Sequence, residues 1–182
     1  MKGSGEQHNS SLDRPLSGVG ERTLVLGLGN PILCDDAVGP KVALMMAERL
    51  EELPHVDVTE ASVGGLRILD LVVGYKRLIL IDAIRTGKAP PGTLIRLKPG
   101  DLTSSIHLAS PHDVNLPTAL ELGRVHGLAI PETIHIYAVE VDDVSTFSEA
   151  CTPAVERAVP EIAEEILRRE FGFGPQIDAD QN

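Results

Sequence analysis

Three short runs of nearly unbroken aliphatic residues, TLVLG (23–27), RLILI (77–81) and IYAV (136–139), constrain most strongly how this chain can fold. Runs of that length without polar alternation read as strands buried on both faces. Stretches with helical spacing lie between them. AVGPKVALMMAERLEE (37–52) places Val38, Val42, Ala43, Met45, Met46 and Leu50 on or near one stripe. GLRILDLVVG (65–74) reads as a short helix, and DVNLPTALELGRVHG (113–127) is helical after its proline, ending at Gly127. VDVTEA (56–61) supplies another strand. TLIRLK (93–98) follows a Pro-Pro-Gly turn and alternates as an edge or antiparallel strand does. A final helix opens at Thr152 with Pro153 in its first position. Val155, Ala158, Val159, Ile162 and Ile166 form its apolar face, and Pro160 is an expected kink.

Strands alternating with helices specify an α/β domain of three layers. The expected sheet is twisted, five-stranded and mostly parallel, with helices on both faces and one strand antiparallel. The 182 residues suit one domain, here 23–171, between polar and loose ends at 1–22 and 172–182. The sequence shows no charged-then-apolar leader and no run of membrane-spanning length, so a cytoplasmic protein is expected, with a monomer as the default. A net charge of −11 argues against nucleic acid and acidic membrane as partners. The two cysteines, Cys34 and Cys151, make neither a disulfide framework nor a zinc pattern, and Cys34 reads as a small buried residue.

In such a sheet, function gathers at the carboxyl ends of the strands, near a reversal of strand order. After the first run comes GLGNPILCDDAVG (27–39), which has the look of a phosphate loop but fails as one. Ile32 replaces the third glycine of a dinucleotide fingerprint, no GK[ST] follows, and Asp35 and Asp36 would repel phosphate. Asp82 is the lone acid ending RLILI, and SPHD brings His112 to the start of a helix after a long loop. With the first and third strands as neighbours, Asp36 and Asp82 converge and His112 approaches from the loop. Two carboxylates and an imidazole leave positions open on a divalent metal. Each residue has a plainer use. Asp35 or Asp36 can cap the following helix, Asp82 can anchor a loop, and His112 can be structural, as His107, His126 and His135 are read to be.

VLGLGNP resembles the opening of bacterial peptidyl-tRNA hydrolases, but that likeness stops at Pro31, where the catalytic histidine segment of that family is missing. A longer resemblance is to the hydrogenase maturation peptidases, which process the large subunit of nickel-iron hydrogenases. It is carried by LGLGNPILCDDAVGP, LILIDAI, PPGTLIRL, SPHDVNLPTAL, YAVEV and TPAVERAV, in order over about residues 23–168. The resemblance implies that Asp36, Asp82 and His112 contact nickel carried by the large-subunit precursor, with another divalent metal able to substitute. It also implies removal of a C-terminal extension from that precursor; for the cut itself, water is the expected nucleophile, with Asp36 or Asp82 as general base. Asn30 and the loop amides would orient the peptide. EASVGG (60–65) departs from the family's acidic Asp-Gly-Gly-Thr segment and is a flexible-loop candidate. Asp36 stands where some relatives have Glu. A non-catalytic nickel-binding or chaperone-like factor, and a different small α/β hydrolase, are the alternative readings.

Overall fold

The computed structural model describes residues 22–102 and 116–174. Its strands are β1 (Thr23–Leu28), β2 (Val56–Ala61), β3 (Arg77–Ile84), β4 (Leu94–Leu97) and β5 (Thr133–Glu140). They lie in the order β2-β1-β3-β5-β4. The first four in that order run parallel, with Thr23 level with both Val56 and Arg77, and Arg77 level with Thr133. Only β4 is antiparallel, pairing Leu94 with Val139 and Leu97 with Ile136. The expected sheet is therefore the one found.

The uniform aliphatic runs have their physical reason in the two layers that cover the sheet. On one face Val25, Ile79, Ile81, Tyr137 and Val139 pack under α1 (Val38–Leu50) and α4 (Pro153–Phe171). The intervening residues Leu24, Leu26, Leu78, Leu80 and Ile136 point the other way, against Ile68, Val72 and α3 (Leu116–Val125). Alternate side chains enter different cores, and neither core accepts a polar group.

Local details differ from the helical readings in two places. The 65–74 stretch forms only a 3-10 turn at Gly65–Ile68 and a single turn, α2, at Leu69–Val72. Its extended Val73 and left-handed Gly74 (φ 89°) end it, in keeping with the weak helix preference of β-branched residues. Met45 faces outward on α1, whereas Val42 and Met46 are buried. Helix α4 continues through Pro160, which lies on its exposed side. The helix opens with Thr152 as N-cap and Pro153 behind it, and closes at Gly172, φ 71°, whose N–H donates to the Arg168 carbonyl.

From β1 the chain passes through α1 to β2 on one side. It then crosses to β3 on the other. The carboxyl ends of β1 and β3 thus flank the point where strand order reverses, the place where α/β sheets hold ligands.

Candidate active site

The glycines of the first loop set how closely α1 approaches the sheet. A side-chain carbon on Gly39 would stand 2.6 Å from the Ile81 carbonyl oxygen and nearer still to that of Leu28. One on Gly27 would meet the Gly39 backbone and, at 2.8 Å, the Ala43 methyl. Gly27 and Gly39 therefore face each other where α1 crosses β1, and no larger residue fits at either. These glycines make room for a helix rather than for phosphate.

That crossing brings the 3-10 turn Cys34–Ala37 to the ends of β1 and β3, with all four of its residues buried. Asp36 is 4% exposed. Its Oδ2 accepts a hydrogen bond from the Asn30 N–H at 2.7 Å, and its own N–H donates to the Leu33 carbonyl at 2.8 Å. Asn30 also uses its side-chain oxygen to accept from the Ile32 N–H at 3.2 Å, which tightens the turn. Asp82 is 2% exposed near the end of β3, and its Oδ1 accepts from the Ala83 N–H at 2.7 Å. Burial pushes the Asp82 carboxyl well above the usual carboxylate range. The Ala83 hydrogen bond pulls it back, and the Asp36 charge pushes it further up. The Asp36 charge thus reaches Asp82 electrostatically. A buried carboxyl held toward its protonated form is a candidate for proton transfer.

His112, with His107, lies outside the described residues, which resume at Leu116. Among the described residues, no group of three or more His, Cys, Asp or Glu is placed to hold a metal ion.

Asp35 is not the helix cap that its position suggested: no side-chain cap bond is made to the start of α1. Its fully buried carboxylate turns instead to the chain around residues 142–152. Oδ1 accepts from the Thr152 N–H at 2.6 Å; Oδ2 accepts from the N–H groups of Asp142 and Asp143 and from the Thr152 hydroxyl, at 3.1–3.2 Å. Sequence reasoning also passed over Glu140, 1% exposed at the end of β5. Its Oε1 accepts from the Thr86 and Gly87 N–H groups, both at 2.7 Å, and Oε2 from the Thr86 hydroxyl at 2.6 Å. Glu140 thereby fastens the turn that follows Asp82. The signal that singled out Asp82, one acid closing an apolar strand, was present in YAVEV as well.

Asp35, Asp36, Asp82 and Glu140 are the buried charged residues among those described, and all sit at the carboxyl end of the sheet. No buried lysine, arginine or histidine accompanies them among the described residues. Cys34 and Cys151 are buried, and burial raises both thiols, that of Cys151 to about 12. Neither is poised as a nucleophile. Ser62, in the EASVGG segment, donates from its hydroxyl to the Gly29 carbonyl at 2.8 Å, which ties the start of that segment to the first loop.

His135 belongs to a different place, half-buried beside the end of α4. Its Nδ1 lies 2.8 Å from Oε2 of Glu170, which also pairs with Arg77 and accepts the Tyr137 hydroxyl. His126 is exposed just beyond α3.

Comparison with known proteins identifies relatives of this chain. Residues 40–169 match the family model described as HycI, hydrogenase maturation protease. The hydrogenase 2 maturation protease of Escherichia coli is 29% identical over 150 residues, covering 80% of this chain and 88% of that protein. The hydrogenase expression/formation protein HupD of Rhodobacter capsulatus is 23% identical over 159 residues, covering 86% and 75%. The solved structure of the hydrogenase maturating endopeptidase HybD from E. coli superposes with a TM-score of 0.66 at 29% identity. That match covers 83% of this chain and 94% of the other.

Proposed function

The chain belongs to the hydrogenase maturation protease family and is a peptidase, and we propose that it removes a C-terminal extension from the nickel-loaded large subunit of a nickel-iron hydrogenase. The observation that carries this reading is the pair of buried carboxylates, Asp36 and Asp82, brought together at the strand-order reversal without a buried basic neighbour among the described residues. In the proposal His112 joins them. Two oxygen ligands and one imidazole are an incomplete set for nickel, so they suit a metal already held by the precursor's own thiolates. Engaging it fixes the scissile peptide against the enzyme, and nickel insertion becomes the condition for cutting.

A water molecule is the proposed nucleophile, with one carboxylate as its general base. Asp82 fits that task because its surroundings favour the protonated form once a proton has been taken up. Buried and raised thiols at Cys34 and Cys151 leave a cysteine-nucleophile mechanism without support. Among the described residues no helix is long and apolar enough to cross a membrane. The proposal takes the enzyme as a monomer acting in the cytoplasm.

The test is incubation with a large-subunit precursor, with and without nickel, followed by intact-mass measurement. The expected result is loss of a short C-terminal peptide only from the nickel-loaded form, abolished by Asp36→Ala, Asp82→Ala or His112→Ala in variants that remain folded. Equal cleavage of the nickel-free precursor, or normal cleavage by the folded variants, would overturn the reading. A stable complex with no loss of mass would favour a binding factor instead.

A further inference from the structure

Phe147 is 80% exposed, more than any other large apolar side chain among the described residues, yet the backbone that carries it is firmly tied. Asp35 accepts the N–H groups of Asp142 and Asp143. Asp143 Oδ1 accepts those of Ser145 and Thr146, both at 3.0 Å. The Ser148 N–H donates to the Ile32 carbonyl at 3.0 Å, and the Cys34 N–H donates to the Ser148 carbonyl at 2.9 Å. A β-bridge sets Phe147 opposite Leu33. The carbonyl of Leu33 accepts the Asp36 N–H. Phe147 is therefore two backbone links from a candidate catalytic carboxylate, on a loop bonded directly to the acid loop. Ile32, 48% exposed, lies on the other side of that seam.

An exposed phenyl ring contributes little to folding, whereas ordering the loop beneath it is costly. Holding an aromatic side chain in water on a pre-ordered backbone lowers the entropy cost of a later contact, as interface anchors do. We propose that the 143–148 loop is a second lip of the substrate site and that Phe147 is a specificity-determining residue, packing against an apolar side chain of the large-subunit precursor beside the cut. The occupant follows from position: the loop is continuous, through Leu33, with the turn that carries Asp36, so a protein engaged at Asp36 meets it. This inference rests on the proposed processing reaction.

The experiment compares the full-length wild type with Phe147→Ala and Phe147→Leu on the nickel-loaded precursor. Phe147→Ala is expected to raise KM about 10-fold or more, within the range of an interface anchor, and to leave kcat within about twofold. Phe147→Leu should recover part of the loss, and the unfolding midpoint should not move. An unchanged KM beside an active wild type overturns the lip, and so does a loss confined to kcat. A dimer in sedimentation that Phe147→Ala splits would assign the residue to a second copy of the chain and likewise overturn it. If the wild type does not cut the precursor, the processing reading itself has failed, and the lip is decided by binding. Tenfold weaker capture of the precursor by Phe147→Ala would support it, and equal or absent capture would end it.

Discussion

Replacing Gly39 by Ala tests how the site is assembled. The added methyl would stand 2.6 Å from the Ile81 carbonyl oxygen and closer to that of Leu28, whereas ordinary contact begins near 3.4 Å. Both neighbours are backbone atoms of central strands and cannot swing aside. The start of α1 must therefore retreat by roughly 0.8 Å or more, a displacement of the size that costs an active site about 100-fold. Overpacking of this kind costs about 1–3 kcal/mol, and the rigid surroundings place Gly39 at the upper end. Alanine's better helix propensity returns up to about 1 kcal/mol, leaving a net loss of about 2 kcal/mol. Urea unfolding measures that loss, and processing of the precursor measures the displacement of Asp36 relative to Asp82. Gly100→Ala is the control, because nothing lies within 4 Å of the added carbon; it should be neutral or slightly stabilising. If Gly39→Ala unfolds at the wild-type urea concentration and processes at the wild-type rate, the argument that this glycine sets the spacing of the site is wrong.

Asp82→Asn should abolish processing while stabilising the protein near neutral pH, since it removes an ionisable group whose charged form the buried site disfavours. A variant less stable than wild type in urea at pH 7 would contradict this. Asp35→Ala strands the N–H groups of Asp142, Asp143 and Thr152 and should cost about 3 kcal/mol. Amide hydrogen exchange should rise across residues 143–148, and unchanged protection there would refute the clamp. For Glu170, burial favours the proton, but hydrogen bonds from Tyr137 and His135, with the Arg77 charge, outweigh it and hold the carboxyl below its ordinary 4.5. A depressed folded value contributes stability that is present above the unfolded pKa and lost as pH falls through the folded one. Glu170→Gln should therefore cost about 2 kcal/mol at pH 7, and the gap to wild type should close as the medium is acidified below about pH 4. A gap independent of pH would mean that its charge is not what matters.

Much of the site was legible because strand-end chemistry is a local signal. Asp82 stands out in RLILIDAI since a doubly covered strand has no use for a carboxylate until it reaches its end. Glu140 in YAVEV carried the same signal, and its purpose, holding the turn after Asp82, is visible only when Thr86 and Gly87 are seen beside it. Asp35 was misjudged for a related reason. Helix capping is a local use of Asp and the natural reading of DD before AVGP, but its actual partners lie more than a hundred residues further along the chain.

By itself, then, the sequence determined the strands and the order of layers, and it marked the acids at the strand ends as candidates. Hydrophobic period is imposed by burial on each residue where it stands, and needs no knowledge of a distant partner. Only the tertiary structure decided that Asp35 clamps the far loop, why Gly27 and Gly39 must be glycine, and that Phe147 stands exposed beside Leu33. These outcomes depend on which remote segments meet, and such meetings arise from the closure of long loops and from the packing of whole layers. The loop that imitates a phosphate binder in one dimension is, in three, a close crossing of helix and sheet that sets a carboxylate in place.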